Sequence, residues 1–192
     1  MDSRQALRKK LRQQRANLAL SEQNIAAQQI MQRLIQSTLF QQNQNIAAYI
    51  PINNEINAKI IIEKIWENHK CCYLPVLQDK KLIFCLYERN TPLENNRFNI
   101  PEPSLDTEFT INPYDLDLVL VPLLGFTISG NRLGMGGGFY DRTFSFLLEK
   151  TRPTKPYLVG LAYEWQKLET KTWKNCNWDV PLDAIVTEKK IY

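Results

Sequence analysis

The sequence predicts an α/β protein of three layers, in which a mainly parallel central sheet is flanked by helices. Two observations carry this prediction. Apolar runs typical of strands alternate along the chain with segments whose apolar residues recur at helical spacing. One run, LDLVLVP, is continuously apolar, as a strand covered by helices on both faces must be. Strands that alternate with helices favour parallel pairing through helical crossovers.

Each element can be assigned from its own pattern. The predicted strands are NIAAYIP, CCYLPVL, LIFCLY, LDLVLVP, YLVGLAY and AIVTE. The predicted helices are the basic N-terminal segment, SEQNIAAQQIMQRLIQSTLF with its first serine as N-cap, NAKIIIEKIWENH and FYDRTFSFLLEK. Residues 90–114 include prolines at positions 92, 101, 103 and 113, and they predict a long irregular connection of the kind that covers a site.

Length and composition favour one domain over residues 1–192. A chain of 192 residues with 44% apolar residues can bury a sizeable core. No apolar run reaches the length of a membrane span, and the four cysteines lack CxxC spacing, so we expect a cytoplasmic protein with reduced thiols and no membrane partner. The single histidine, His69, argues against a histidine-based catalytic triad or a multi-histidine metal site.

The positive charge is concentrated in the first helix. At about 100° per residue, one apolar seam of this helix is formed by Leu7, Leu11 and Leu18. Three arginines border that seam, and they are Arg4, Arg8 and Arg15. Lys9 and Lys10 point elsewhere. The arginines are therefore expected to line a cleft between the helix and the body of the protein, where a forked guanidinium can bind phosphate.

A glycine-rich loop follows the predicted buried strand. RLGMGGGFYDR, residues 132–142, holds four of the seven glycines of the chain, and it runs into a predicted helix. Open α/β sheets bind ligands at this end of their strands, and free N–H groups at a helix start favour an anion. The loop has no Gly-Lys-Ser/Thr and does not follow the first strand, so it is neither a Walker loop nor a dinucleotide fingerprint. We expect it to bind phosphate.

Several side chains of this loop have two interpretations from the residues alone. Gly137 is expected to lie against the phosphate and is a candidate for a positive φ. Arg132 and Arg142 add positive charge. Asp141 either stabilises the helix dipole or lies where Mg²⁺ would bridge phosphate oxygens.

RLGMGGGFYDR, preceded by VPLLGF and followed by GLAYEWQ and WDVPLDAIVTE, resembles the 5-formyltetrahydrofolate cyclo-ligase family, also called 5,10-methenyltetrahydrofolate synthetases. RQALR, YIPINNEIN and YLPVL extend the resemblance over the whole chain. The resemblance implies a Rossmann-like sheet similar to the NagB/RpiA/CoA-transferase-like fold. It also implies ATP-dependent closure of 5-formyltetrahydrofolate to 5,10-methenyltetrahydrofolate, with Mg²⁺ as the metal.

The resemblance also implies roles for individual residues. ATP would be bound by Arg4, Arg8, Arg132, Leu133, Gly134, Met135, Gly136, Gly137, Gly138, Phe139 and Tyr140. Folate would contact Ile50, Glu55 and residues 135–139. Catalysis would involve Arg132, Tyr140 and Asp141, and the carboxylates linked to magnesium would be Asp141 and Asp179. The chain departs from the family pattern at Thr127, Met135, Phe139 and Trp178.

The residues by themselves leave alternatives open. Glu55 and Asp179 could be ordinary loop carboxylates, and Tyr140 could be a packing aromatic. A nucleic-acid-binding protein could use the N-terminal arginines, but the charge after residue 15 is almost balanced. A sugar-phosphate isomerase or acyl-transfer enzyme could use a similar scaffold without ATP. We expect a monomer that binds ATP and 5-formyltetrahydrofolate, including polyglutamylated forms, and that has no nucleic-acid partner.

Overall fold

The computed structural model describes residues 3–104, 109–169 and 176–192. The helices of this part of the chain are α1 (Ser3–Ala16), α2 (Leu20–Ile35), α3 (Thr38–Gln41), α4 (Lys59–Glu67) and α5 (Phe139–Thr143). The strands are β1 (Asn45–Ala47), β2 (Cys71–Gln78), β3 (Lys81–Leu86), β4 (Leu93–Asn95), β5 (Pro101–Pro103), β6 (Thr110–Ile111), β7 (Leu118–Pro122), β8 (Gly125–Phe126), β9 (Arg132–Leu133), β10 (Tyr157–Leu161) and β11 (Ala184–Val186). Within the described residues no helix is both long and apolar enough to cross a membrane.

Seven strands form the central sheet in the order β11–β10–β7–β1–β2–β3–β6. The first five are parallel to their neighbours, and β3 and β6 extend the sheet by antiparallel pairing. The remaining strands pair as two short hairpins, β4 with β5 and β8 with β9. The predicted α/β class with a mainly parallel sheet is confirmed.

The sheet has a separate hydrophobic core on each face. Leu118 and Leu120 of β7 pack into the cluster that contains the buried faces of α2 and α4. Val119 and Val121 of the same strand pack into a second cluster with Phe144. Successive side chains of a strand point to opposite faces, so one cluster lies on each face of the sheet. The sheet is therefore the middle layer of a three-layer structure.

The direction of the chain reverses at the middle of the sheet. From β1 the chain passes through α4 to β2 on one side, whereas β7 lies on the other side of β1 and leads outward to β10 and β11. Ile46 is in register with Cys72 of β2 and with Leu118 of β7. The segments that follow β1 and β7 therefore diverge, and they leave a crevice between the carboxyl ends of two adjacent strands.

Helix α1 lies across this end of the sheet. Its Leu11 is 2% exposed and packs with Leu124, which directly precedes β8, and with Leu133 of β9. Leu7 packs against the same cluster, whereas Leu18 lies beyond the end of α1 and packs against the core on the α2 face. The predicted seam is therefore correct for its first two leucines, and Lys9 and Lys10 are exposed as predicted.

The second predicted helix begins and ends differently from the expectation. It begins at Leu20 with Ala19 as N-cap, because the Glu22 carboxylate accepts the Ala19 N–H at 3.1 Å. Ser21 is consequently inside the helix and is not its cap, so the predicted serine cap is wrong. The helix also stops at Ile35, and Ser37 caps a separate short helix, α3.

The helix predicted over FYDRTFSFLLEK is interrupted. α5 ends at Thr143, and a 3₁₀ turn covers Ser145–Leu148. Phe144 and Phe146 are both buried in the same cluster. Residues two apart point to widely different sides of an α-helix, so burying both in one core requires the helix to break between them. The dipole of this five-residue helix can add little to anion binding.

The described part of the segment 90–114 is more regular than predicted. β4 and β5 form a hairpin, β6 joins the sheet edge, and residues 113–115 form a 3₁₀ turn. The prolines at both ends of β5 are compatible with a two-stranded hairpin, because its strands have free edges.

Candidate functional site

A cavity of ≈ 960 Å³ opens at the carboxyl ends of β1, β2 and β7. Its volume is near the upper end of the range for small-molecule sites. Every residue to which the family resemblance assigns a role lines this cavity, namely Arg4, Arg8, Ile50, Glu55, Arg132, Leu133, Gly134, Met135, Gly136, Gly137, Gly138, Phe139, Tyr140, Asp141 and Asp179. The expectation that Arg15 also lines the cleft is wrong, because its side chain is buried and pairs with Glu55. The fold thus brings together residues from the two ends of the chain and from its middle.

The glycine loop forms one wall of the cavity. Gly136 and Gly138 have positive φ angles of 107° and 65°, whereas Gly137 does not lie in the left-handed region. The expectation of a positive φ at Gly137 is therefore wrong. A Cβ at Gly137 would instead meet the Phe139 ring at 2.7 Å, so a larger residue there requires this ring to move.

Arginine side chains bind the carbonyl groups of this loop. Arg8 Nε donates to the Gly134 carbonyl at 2.9 Å, Arg12 Nη2 to Met135 at 3.1 Å, and Arg142 Nη2 to Gly137 at 2.6 Å. Within the described residues, the N–H groups of residues 135–138 have no hydrogen-bond acceptor. Unpaired successive N–H groups with cations beside them form an anion-binding surface.

Two aspartates lie beside the same loop, each paired with an arginine. Asp141 Oδ1 is 2.5 Å from Arg132 Nη2 and also accepts the Val180 N–H at 3.2 Å. Asp179 Oδ2 is 2.8 Å from Arg4 Nη2. The hydrogen bond to Val180 brings Asp141 next to the segment that carries Asp179, so both predicted magnesium carboxylates lie at one corner of the cavity.

The described residues contain no group of three His, Cys, Asp or Glu side chains that could hold a metal ion. Magnesium at a nucleotide site usually takes one or two carboxylates together with phosphate oxygens and water. The pair Asp141 and Asp179 fits that requirement. Within the described residues both hydrogen bonds of Asp141 use Oδ1, so its second oxygen is available to a metal ion.

Arg132 and Tyr140 lie between the loop and the sheet. The Arg132 side chain is 5% exposed, its Nη1 has no hydrogen-bond partner, and its guanidinium lies 5.5 Å from the centre of the Tyr140 ring. Burial raises the pKa of Tyr140, so its hydroxyl remains protonated at neutral pH. Both side chains can therefore donate hydrogen bonds into the cavity.

The opposite wall is built by the segment that follows β1. Asn53 and Asn54 have φ angles of 48° and 59°, a left-handed turn that asparagine tolerates, and Glu55 N–H donates to the Ile52 carbonyl at 3.0 Å. Glu55 is buried, and its Oε2 accepts the Ile52 N–H at 3.1 Å. Burial raises the pKa of Glu55, while Arg15 at 3.7 Å and the Ile52 N–H lower it.

The β4–β5 hairpin covers the mouth of the cavity. Phe98 at its tip is exposed and lies 6.0 Å from the Phe139 ring in an edge-to-face arrangement. Glu102 accepts the Leu77 N–H at 3.1 Å and ties the hairpin to β2. The sequence predicted a covering segment here, but its proline-rich pattern gave no means of selecting Phe98 or Glu102 as lining residues.

Two further lining groups were not predicted as site residues. Lys81 and Leu82 reach the cavity from the start of β3, which the antiparallel pairing places beside the carboxyl end of β2. Trp178, which is 68% exposed, lines the rim next to Asp179. Their positions depend on strand pairing and loop packing, and no local sequence pattern reports either.

The sequence matches the profile of the 5-formyltetrahydrofolate cyclo-ligase family over residues 1–188. The chain belongs to this family. Family membership confirms the resemblance inferred from the glycine loop and its flanking motifs, and it identifies the chain as an enzyme of the ligase class.

Individual members of the family are similar along nearly their whole length. A 5-formyltetrahydrofolate cyclo-ligase of Haemophilus influenzae is 39% identical over 95% of this chain and 96% of its own length. The Escherichia coli K12 protein of the same name is 34% identical over 95% of this chain and 98% of its own length. The NMR structure of Aquifex aeolicus 5,10-methenyltetrahydrofolate synthetase matches with a TM-score of 0.82 at 29% identity, covering 98% of this chain and 91% of the other.

We predict that Gly136→Ala lowers the free energy of unfolding by about 1–2 kcal/mol, because an L side chain is disfavoured at a positive φ. The nearest atom to the new Cβ would be Arg8 Cζ at 3.6 Å, an ordinary contact, so the cost is confined to the backbone. Urea denaturation of the variant and the wild type measures this difference in the free energy of unfolding. The matched control is Gly134→Ala, because a Cβ at Gly134 would have no atom within 4 Å and Gly134 does not have a positive φ. Equal stability of the two variants would contradict the assigned loop conformation.

Proposed function

We propose that this protein catalyses the ATP-dependent cyclisation of 5-formyltetrahydrofolate to 5,10-methenyltetrahydrofolate, with release of ADP and phosphate. The observation that carries the proposal is the composition of one cavity, which joins an anion-binding glycine loop to a buried carboxylate on an apolar wall. The names of the family relatives support the folate reaction. A Mycoplasma pneumoniae 5,10-methenyltetrahydrofolate synthetase, for example, has a solved structure that matches with a TM-score of 0.73 at 30% identity.

The chemistry suits a site without histidine. The oxygen of a formyl amide is a poor leaving group, so the γ-phosphoryl group of ATP is transferred to it and gives an iminium phosphate. The side-arm N–H nitrogen of the folate then attacks the activated carbon and gives up its proton to water or to the departing phosphate. The ring closes as the C–O bond breaks and phosphate leaves. Because the nucleophile belongs to the substrate, the protein has only to align the reacting atoms, neutralise charge and exclude water.

At the nucleotide end, the free N–H groups of residues 135–138 would bind phosphate oxygens together with Arg4 and Arg8. Arg132 supplies a buried cation with an unpaired Nη1 beside the same loop. The neutral Tyr140 hydroxyl would donate to the group being transferred. These donors are fixed by backbone and side-chain contacts before any ligand enters, which is the arrangement that stabilises developing charge most effectively.

Asp141 and Asp179 would hold Mg²⁺ at the corner where they lie beside the loop. When bound, the metal supplies neutralisation of charge on the phosphates. Arg132 and Arg4 hold the two carboxylates in place through their ion pairs.

At the folate end, Glu55 would accept hydrogen bonds from the pterin, and Ile50 with residues 135–139 would contact the flat ring. Leu74 and Leu82 complete an apolar wall on this side. A buried carboxylate oxygen without a hydrogen bond selects a ligand that offers N–H groups, because a buried acceptor without a donor is costly.

We further infer one domain over residues 1–192 that acts as a cytoplasmic monomer. The domain assignment is supported by the hydrophobic clusters, since one of them joins residues from Ala26 to Val186. The acidic tail of a polyglutamylated folate would be compatible with the basic residues around the cavity.

The direct test is an assay of the purified protein with Mg-ATP and 5-formyltetrahydrofolate. We expect the absorbance of the methenyl product to appear with ADP in equal amount, and to be lost when ATP is omitted. A folded protein that produces no chromophore would overturn the proposal. Turnover of a phosphosugar or acyl donor without ATP would favour the alternative enzyme class.

We predict that Arg4→Ala with Arg8→Ala weakens ATP binding by about 3 kcal/mol, since each charged hydrogen-bonding group contributes about 1.5 kcal/mol. Lys9→Ala with Lys10→Ala removes the same charge from the exposed side of α1 and is expected to change binding little. Titration calorimetry with ATP on both double variants compares the two losses of affinity. Equal losses would show that α1 contributes only diffuse charge.

We predict that Asp141→Asn lowers turnover by about 10²-fold or more and raises the Mg²⁺ concentration needed for half-maximal rate. The asparagine carbonyl can still accept from Arg132 and Val180, so the fold is retained. Asp183→Asn is the control, because Asp183 likewise pairs with an arginine, Arg152, and accepts a backbone N–H, that of Leu158. If both variants lose stability alike and neither loses turnover, Asp141 is only a structural partner of Arg132.

A further inference from the structure

Arg15 is a buried cation that the reaction described above does not use. It lies in the last turn of α1 and is 1% exposed. Its Nη1 donates to the Leu123 carbonyl at 3.2 Å, but its Nε and Nη2 have no hydrogen-bond partner. Within the described residues, the carboxylate at ion-pair distance from it is that of Glu55, at 3.7 Å. A buried charge is costly unless an opposite charge compensates it, so Arg15 and Glu55 depend on each other.

The backbone around Glu55 is fixed by other groups. Tyr163 Oη donates to the Asn54 carbonyl and Tyr49 Oη donates to the Ile56 carbonyl, both at 3.1 Å. The Asn54 amide donates to the main-chain carbonyl of Arg15 at 3.2 Å. None of these contacts uses the Arg15 side chain. The guanidinium of Arg15 therefore acts on the Glu55 carboxylate and not on the loop that carries it.

We propose that Arg15 is the positioning residue of Glu55: its guanidinium compensates the charge of the buried carboxylate and fixes its orientation at the folate end of the cavity. The proposal rests on the assigned folate reaction. Glu55 Oε2 is engaged by the Ile52 N–H, and Oε1 lies 3.7 Å from Arg15, beyond direct hydrogen-bond distance. Oε1 is consequently compensated in charge and still able to accept a hydrogen bond from the substrate.

The groups that surround the pair make Arg15 the decisive charge. Tyr49, Tyr140 and Tyr163 also interact electrostatically with Glu55, and burial raises the pKa of each, so all three are neutral at neutral pH. Burial raises the pKa of Glu55, and Arg15 opposes this effect. Arg15 is the main group that lowers the pKa of Glu55 against the effect of burial. Removing its charge would raise this pKa further, so Glu55 would take up a proton at higher pH. Protonated Glu55 loses one acceptor site for the pterin.

The test compares Arg15→Met and Arg15→Lys with the wild type over about pH 5 to 9, a range that spans a raised carboxyl pKa. We expect Arg15→Met to raise the KM for 5-formyltetrahydrofolate about tenfold at pH 7 and to move the acidic limb of kcat/KM to higher pH by about one unit. The KM for ATP should stay within about twofold, and kcat at saturating folate should change little, since Glu55 acts in folate binding. Arg15→Lys should restore part of the loss.

Two further variants identify the route of the effect. Glu55→Gln should raise the same KM and remove the acidic limb, and Arg15→Met added to Glu55→Gln should raise KM no further, because Arg15 acts only through Glu55. Lys10→Met is the matched control, since it removes one positive charge from the exposed side of the same helix. Additive effects of Arg15→Met and Glu55→Gln, or an equal shift in Lys10→Met, would overturn the proposal.

A direct readout is independent of the reaction. The side-chain carboxyl signal of Glu55, followed by NMR against pH, should titrate at higher pH in Arg15→Met than in the wild type, and in Arg15→Lys at a pH between the two, because lysine keeps the charge but not the geometry of the guanidinium. If Arg15→Met does not fold, Arg15→Lys supplies this comparison. An unchanged titration overturns the role of Arg15 whether or not the enzyme turns over folate. A shifted titration in a protein that forms no methenyl product supports that role and rejects the proposed reaction.

Discussion

The site depends on the reversal of chain direction between β1 and β7. These strands are adjacent and parallel, but one leads to β2 and the other to β10 on the opposite side of the sheet. The connections after these two strands run to opposite sides of the sheet. Neither connection covers the space at the carboxyl ends of β1 and β7, and a crevice remains there. The turn carrying Glu55 forms one wall of that space, and the chain that follows β7 carries the glycine loop to the other.

Helix α1 closes this crevice and carries much of its charge. Leu11 fixes the helix against the β8–β9 hairpin, and this packing sets the directions of the arginines on either side of it. Arg4 reaches Asp179, Arg8 reaches the Gly134 carbonyl, and Arg15 reaches Glu55. One apolar contact surface thus positions cations at both ends of the cavity. Because each cation has a carboxylate or carbonyl partner, the site keeps its geometry without a bound anion.

Part of this arrangement could be predicted because it is encoded locally. Continuous apolar runs and helical spacing report burial, so the parallel sheet and its helical layers followed from the pattern of LDLVLVP and its neighbours. The glycine loop could be recognised because four glycines in five positions are needed only where the backbone must turn sharply or approach another group closely. The break in α5 could not be predicted, since it arises from Phe144 and Phe146 packing into one core.

The sequence by itself determined the fold class, the family and the set of polar residues around the glycine loop, because these depend on periodicity and on contiguous motifs. Only the tertiary structure decided which charges compensate one another. Arg15 with Glu55, Arg132 with Asp141 and Arg4 with Asp179 are pairs formed between different segments. The strength of such pairs depends on distance and burial, which no spacing along the chain specifies. The same is true of the β4–β5 hairpin, which Glu102 ties to β2 and whose Phe98 contacts Phe139.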